Sequence, residues 1–278
     1  MKIEELRKRI DELDTKLVEL LNERTRHAVE IGKIKRDLGD EVYAPEREEN
    51  VFKRVASASH GPLGERSLRP IWREIMSAAL GLQKDMVVAV FGGSGGFTDS
   101  GARQKFGSSV TYKYQATISD VFRAVTEERA DCGVVPMEDC TGGVTTHVCD
   151  LLLRSSLKVC AQIMLPVSGT VNPGLAPARF LVIGRKSAAR TGSDQTVILF
   201  SLPNRVGALR DGLATFEKHA VNLINIGSRP MKGKPGRDVF FVDVAGHTSD
   251  ARIQKAAAEL KRRCAFVKIV GSYPTQTA

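Results

Sequence analysis

Residues 3–35 read IEELRKRIDELDTKLVELLNERTRHAVEIGKIK, a charged segment in which apolar residues return at every third or fourth position. This spacing aligns the apolar side chains along one side of an α-helix. The pattern predicts one long helix from about residue 2 to residue 38, and Gly39 is expected to end it. A helix with so long an apolar stripe cannot bury it alone. We therefore expect partner helices, including those of a second subunit.

The remainder of the first 85 residues predicts two further helices. One begins after Pro45, because proline suits the first turn of a helix. The other covers residues 68–84, and a loop with Gly and Pro at residues 57–63 separates the two. Residues 1–85 are therefore expected to form an all-helical domain.

Residues 86–185 have a different pattern, in which short apolar runs alternate with helical segments. Such alternation indicates an α/β layer. A loop rich in Pro and Gly is expected over residues 166–177. The predicted strands cover residues 86–91, 110–114, 133–136, 157–165 and 180–184.

Residues 195–275 predict the order strand, helix, strand, strand, helix, strand. This βαββαβ order is the ferredoxin-like arrangement. The turn between the two central strands is expected at residues 232–236. The chain as a whole is thus expected to have several domains: a helical domain, a single α/β lobe and a ferredoxin-like domain.

The composition argues against several classes of protein. The net charge of +9 comes mainly from residues 186–278, which hold 15 basic and 7 acidic residues. That segment has few aromatic residues and no nucleic-acid-binding motif, so no nucleic-acid partner is expected. No apolar run is long enough to cross a membrane, and the charged start is unlike a signal peptide. We expect a cytoplasmic protein without disulfides or a metal site, because the five cysteines form no CxxC pair.

Cations on the first helix have spacings that suit one binding site. Arg24 and Lys35 are eleven residues apart, so they differ by about 20° around the axis and share a face. They lie about 16 Å apart along the axis, so only their long side chains can approach one small ligand between them. Arg7 points about 100° away from Arg24, which suits a site contributed by a neighbouring subunit. The other polar candidates of this domain are Arg47, Glu48 and Gln83.

This set of four cations, one carboxylate and one amide contains no nucleophile–base pair and no cluster of metal ligands. Such a set suits a compact polyanion, whose charge it would stabilise electrostatically as the reaction proceeds. We expect catalysis without covalent intermediates, metal or cofactor.

The first segment also carries a joint motif: LRKRIDELD at residues 6–14, LLNER at 20–24 and IGKIK at 31–35, followed by Arg47-Glu48 and Gln83. This motif resembles the all-helical chorismate mutase family. The resemblance implies rearrangement of chorismate to prephenate in an intertwined homodimer. It also implies that Arg7 of the partner subunit, Arg24 and Arg47 hold the two carboxylates. By the same resemblance, the ether oxygen accepts hydrogen bonds from Lys35 and Gln83, and the ring hydroxyl binds Glu48.

The second segment carries FGGSGGFT at residues 91–98, VVPMEDC at 134–140 and ARF at 178–180. These segments resemble prephenate dehydratase, as it occurs fused to chorismate mutase in a bifunctional family. The family's catalytic threonine corresponds to Ala178 here, and only a short loop stands where the family has a second lobe. We expect a degenerate dehydratase lobe, with retained dehydratase activity as the alternative. The remnant site residues are Glu138, Asp139, Arg179 and Phe180.

The third segment carries NRVGAL at residues 204–209 and GSRP at 227–230. These segments resemble the phenylalanine-sensing ACT domains, which implies L-phenylalanine as an effector and side-by-side pairing of the domains. Gly227 stands where the family has a glutamate, so feedback regulation is left open, and a dimerisation domain without ligand is the alternative. The regulatory candidates are Asn204, Gly207, Ala208, Leu209, Ser228, Arg229 and Pro230.

The combined hypothesis is a chorismate mutase of phenylalanine biosynthesis. Its helical domain occupies residues 1–85, a truncated dehydratase-like lobe residues 86–185 and an ACT regulatory domain residues 195–275. Chorismate and prephenate are the expected substrate and product. A non-catalytic protein that binds phenylalanine is the alternative from another class.

Overall fold

The computed structural model describes residues 2–137, 146–165, 178–231 and 238–275. The helical domain consists of α1 (Ile3–Asp37), α2 (Pro45–Ala58) and α3 (Glu65–Gln83). The long first helix is confirmed, and Gly39 follows its C-cap with a positive φ of 69°, a conformation that suits glycine. Helix α3 begins three residues before the predicted start. The prediction omits the first turn because that turn is polar and has no apolar periodicity.

The α/β lobe has a five-stranded mixed sheet in the order β2-β1-β3-β5-β4. Strand β1 is parallel to β2 and β3, whereas β5 is antiparallel to β3 and β4. Its elements are β1 (Val87–Phe91), α4 (Phe97–Phe106), β2 (Thr111–Gln115), α5 (Ile118–Thr126), β3 (Cys132–Pro136), α6 (Thr146–Arg154), β4 (Lys158–Leu165) and β5 (Ala178–Gly184). The expected loop at 166–177 lies outside the described residues.

The third domain has the predicted βαββαβ order and an antiparallel sheet in the order β7-β8-β6-β9. The expected turn at 232–236 lies outside the described residues. The elements of this domain are β6 (Asp194–Leu202), α7 (Ala208–Lys218), β7 (Leu223–Pro230), β8 (Asp238–Ala245), α8 (Ala251–Lys261) and β9 (Phe266–Pro274).

The lobe and the third domain share one hydrophobic core. Val159 and Leu181 of the lobe belong to the same buried cluster as Leu199, Phe241 and Val270 of the third domain. The opposite face of the third sheet is covered by α7 and α8. The two units are therefore held together by apolar burial as well as by chain connection.

Helix α1 contributes little to these cores. Ile10, Leu13, Leu17 and Leu20 are each more than half exposed. An apolar face of this length is unusual on the surface of a protein and is typical of an association surface. No helix of the described part of the chain combines the length and the hydropathy that a membrane crossing requires.

Candidate functional site

A cavity of about 270 Å³ opens between the three helices of the helical domain and the end of α4 in the lobe. Five of the six residues predicted for catalysis line this cavity. Helix α1 supplies two of them, the first turn of α2 supplies two, and the last residue of α3 supplies one. They are Arg24, Lys35, Arg47, Glu48 and Gln83. Cations, a carboxylate and an amide from three separate helices therefore line the same cavity.

Arg7 lies outside this cavity. It is exposed near the start of α1, 17 residues and about 25 Å along the axis before Arg24. A side chain cannot span that distance. A contact between Arg7 and a cavity of this kind therefore requires a second subunit.

The Arg24 guanidinium makes the cavity attractive to an anion. Its Nη1 atom is buried and has no hydrogen-bond partner among the described residues. Burial and, in second place, the nearby charge of Arg47 lower the pKa of Arg24 below its usual value. Both effects arise because the positive charge of Arg24 has no counter-charge nearby in the described part of the chain, and a bound carboxylate would supply that counter-charge.

Gln83 lies close to α1 because Gly32 lets α3 approach α1 closely. A Cβ atom at Gly32 would lie 2.8 Å from Gln83 Cγ and 2.9 Å from Gln83 Cβ, closer than carbon atoms pack. Arg36, one turn farther along α1, donates a hydrogen bond to the carbonyl oxygen of Gln83. Lys35 Nζ donates to the carbonyl oxygen of Val42 at 3.3 Å. Lys35 and Gln83 thus both line the cavity, each from a helix whose position is fixed by these contacts.

Several residues of the cavity wall are not among the residues predicted from the sequence. Arg73 precedes Gln83 on α3 at helical steps through Ser77 and Leu80, so helix periodicity could have placed it there. Lys105 and Phe106 come from α4 of the lobe, and no pattern within the first 85 residues points to them. The lobe thus forms part of the wall of this cavity.

Lys105 joins the lobe to one of the predicted site residues. Its Nζ atom lies 2.6 Å from Glu48 Oε2, and both side chains are largely buried. The ring of Phe106, the next residue, packs 5.1 Å from the ring of Tyr43. Glu48 is therefore ion-paired across the boundary between the helical domain and the lobe.

Most of the regulatory candidates lie near the start of α7 or on β7. Gly207 is the N-cap of α7 and has a φ of +78°, while Asn204 and Leu209 on either side are exposed. Ala208 is buried. Ser228 and Pro230 are exposed on β7, one of the two edge strands of the third sheet. These segments leave exposed surface at the start of α7 and along the edge strand.

Arg229 has a different environment. Its side chain is buried and ion-paired with Asp150 on α6 of the lobe. Arg229 is one of the ligand-binding candidates because it lies in the GSRP segment. The structure instead gives this arginine a contact between two domains, since the alternating pleat of β7 turns its side chain to the face opposite Ser228 and Pro230.

The dehydratase remnant is buried where the structure describes it. Arg179 is 4% exposed and its Nη2 lies 2.7 Å from Asp243 Oδ2 of the third domain. Its Nε donates to Gln162 Oε1 at 2.9 Å. Phe180 is also buried, and Glu138 and Asp139 lie outside the described residues. Arg179 thus belongs to the contact between the lobe and the third domain.

Comparison with known proteins agrees with this architecture. Three family models match: chorismate mutase type II at residues 6–84, prephenate dehydratase at 88–172 and the ACT domain at 196–262. The bifunctional chorismate mutase/prephenate dehydratase of Aquifex aeolicus is 33% identical, with 98% of each chain covered. The chain belongs to this bifunctional family. The corresponding protein of Neisseria gonorrhoeae is 29% identical, with 97% of this chain and 96% of that protein covered.

A solved structure, prephenate dehydratase from Streptococcus mutans, is also similar. It is 27% identical, with a TM-score of 0.58, and the match covers 68% of this chain and 97% of that one. The resemblances to chorismate mutase, prephenate dehydratase and the ACT domain are confirmed, and so is the fold class. The alignment with the Aquifex protein runs over 353 positions, more than the 278 residues of this chain, so that relative contains segments that this chain lacks.

Proposed function

We propose that the chain converts chorismate to prephenate in the cavity of the helical domain, as a step of aromatic amino-acid biosynthesis. The observation that carries the proposal is the convergence of five predicted residues on one cavity, in which the buried Nη1 atom of Arg24 has no hydrogen-bond partner among the described residues. The five are Arg24, Lys35, Arg47, Glu48 and Gln83. The match of residues 6–84 to chorismate mutase type II supports the same assignment.

The reaction requires positioning and charge stabilisation, which this cavity can supply. Arg24 and Arg47 bind the two carboxylates of the substrate and hold it in a folded conformation. Negative charge grows on the ether oxygen as its carbon–oxygen bond breaks, and Lys35 and Gln83 donate hydrogen bonds to it there. Glu48 accepts a hydrogen bond from the ring hydroxyl. Preorganised donors of this kind lower the barrier without forming a covalent bond to the substrate.

The active unit in this proposal is a homodimer. The exposed apolar face of α1 supports pairing with a second copy, because its burial would remove that surface from water. The pairing would also bring Arg7 of the partner subunit to the cavity, which Arg7 of the same subunit cannot reach. The domain boundaries that fit this proposal are 1–85, 86–185 and 195–275, each of which encloses most or all of one matched family segment.

The lobe has no dehydratase activity of its own in this proposal. Arg179 is committed to Asp243, and the residue before it is alanine where a catalytic threonine is expected. The segments that the Aquifex relative has and this chain lacks support the loss of part of the site. The second candidate is a bifunctional enzyme, and it rests on the match of residues 88–172 to prephenate dehydratase.

One experiment separates these two candidates. The purified chain is incubated with chorismate, and in parallel with prephenate at pH 8, while prephenate and phenylpyruvate are quantified. We expect prephenate from chorismate and no phenylpyruvate above the enzyme-free background. Arg24→Ala protein purified in the same way controls for host enzymes. Phenylpyruvate that rises with enzyme concentration would establish the bifunctional alternative. Absence of both prephenate and phenylpyruvate from the chorismate incubation would reject the mutase assignment.

We infer that the third domain binds L-phenylalanine at the start of α7. Backbone N–H groups at a helix N-terminus suit a carboxylate, and the match to the ACT domain supports an amino-acid ligand. Calorimetric titration with L-phenylalanine should give binding heat, and L-alanine should give none. Absence of heat with L-phenylalanine would favour a dimerisation domain without ligand. Binding without chorismate turnover would favour the non-catalytic regulator.

A further inference from the structure

The contact between Lys105 and Glu48 joins two domains at the edge of the mutase cavity. The side chains are 11% and 14% exposed, and their charged atoms are 2.6 Å apart. A carboxylate removed from water to this extent needs a counter-charge, and breaking such a pair leaves the remaining charge uncompensated. Lys105 is the cation that meets this need for Glu48.

The position of Lys105 is set by firm docking of the end of α4 on α3. Gly107 follows α4 with a φ of +73°, and a Cβ atom there would lie 2.6 Å from Ser77 Cβ. The Ser109 N–H donates to Ser77 Oγ at 3.0 Å, and the Ser108 N–H donates to Glu74 Oε2 at 2.9 Å. These contacts involve the backbone of residues 107–109, which directly follow α4. They therefore fix the position of the Lys105 backbone relative to α3.

Lys105 and Glu48 also line a second, larger space. A cleft of about 850 Å³ between the helical domain, the lobe and the third domain shares Glu48, Arg73 and Lys105 with the mutase cavity. The ion pair therefore stands in the wall between the cavity and the cleft. Removal of the lysine would open this wall as well as release the carboxylate.

We propose that Lys105 of the lobe is a positioning residue of the mutase site and acts through Glu48. This inference rests on the proposed mutase function. The Nζ atom of Lys105 is ion-paired with Oε2 of Glu48 and so leaves Oε1 to accept the ring hydroxyl of chorismate. The lobe is in this way a structural part of the mutase, independent of any dehydratase chemistry. The isolated helical domain would lack this counter-charge.

The test is a double-mutant cycle in the full chain. Lys105→Gln removes the charge at nearly constant length, Lys105→Arg keeps it, and both are compared in wild-type and Glu48→Gln backgrounds. We expect Lys105→Gln to lower kcat/KM by about 10- to 100-fold, since a misplaced contact group carries a penalty of this size. Lys105→Arg should stay within about fivefold of wild type, because it preserves the ion pair.

The decisive result is the second side of the cycle. With Glu48→Gln present, Lys105→Gln should change kcat/KM by less than about threefold, because the carboxylate that it positions is gone. An equal loss in both backgrounds would overturn the proposal, and so would unchanged kcat/KM in Lys105→Gln alone. The double variant leaves no buried unpaired charge and keeps the test open if a single variant folds poorly. Lys113→Gln, an exposed lysine on β2, is the matched control and should match wild type.

The same series distinguishes failure of this proposal from failure of the mutase assignment. An inactive wild-type chain would reject the mutase function itself. An active wild-type chain that loses activity in Arg24→Ala and keeps it in Lys105→Gln would retain the mutase site and reject only the role of Lys105.

Discussion

Replacement of Gly32 by alanine should disable the mutase while the protein stays folded. The added Cβ would lie 2.8 Å from Gln83 Cγ and 2.9 Å from Gln83 Cβ, where carbon atoms normally stay about 3.5–4.0 Å apart. The close atoms are Cβ and Cγ, which lie next to the backbone of Gln83, so rotation of the terminal amide cannot relieve the contact. Gln83 must therefore move away from α1 by roughly 1 Å.

The magnitude follows from this displacement. A shift of about 1 Å in a group that contacts the transition state can cost about 100-fold, so we expect kcat/KM to fall by about 10- to 100-fold. The free energy of unfolding should change much less. Alanine favours the helix by about 1 kcal/mol over glycine, which offsets part of an overpacking cost of about 1–3 kcal/mol.

The assay follows chorismate consumption for activity and urea unfolding by circular dichroism for stability. Gly61→Ala is the matched control, because a Cβ atom at Gly61 meets nothing within 4 Å. In a Gln83→Ala background, Gly32→Ala should have no further effect on kcat/KM. Activity within twofold of wild type in the Gly32→Ala single variant would refute the idea that Gly32 sets the position of Gln83.

Three further experiments, with four variants, test the site and the domain contacts. Arg24→Ala should lower kcat/KM by the equivalent of about 2–4 kcal/mol, as expected for loss of one charge-stabilising donor, and near wild-type turnover would remove it from the site. Arg7→Ala and Lys35→Ala should each be inactive, yet co-expressed heterodimers should regain activity, because one of their two cavities carries both native residues. Continued inactivity of the heterodimers would contradict a shared site. Asp243→Asn should lower the free energy of unfolding by about 3–5 kcal/mol, because Arg179 stays buried beside it, and a loss under 1 kcal/mol in urea titration would contradict this.

Features that depend on residues close together in the chain could be predicted from the sequence. The three- and four-residue spacing of apolar residues predicted α1 almost to its ends, and the eleven-residue step placed Arg24 and Lys35 on one face. The βαββαβ order of the third domain followed from alternation and helical periodicity in the same way. These features depend on backbone geometry and hydrogen bonding within one element, and each element carries its own signal.

Two other residues of the site have a weaker signal in the sequence, and neither is among the predicted site residues. Gly32 is a glycine inside a strongly helical segment, which is costly unless a neighbour approaches closely at that point. Arg73 lies at helical steps from Gln83 and faces the same cavity. Both residues could have been selected by asking which face of each helix the site residues share.

The elements, their order and the family resemblance can be predicted from the amino-acid sequence, because each depends on local spacing or on a short motif. Three ion pairs between domains could be identified only from the folded structure. They join Lys105 to Glu48, Arg229 to Asp150 and Arg179 to Asp243. The partners in these pairs are 57, 79 and 64 residues apart. They meet because separately formed surfaces dock through apolar burial and close backbone contact, and docking of this kind leaves no periodic trace in either segment.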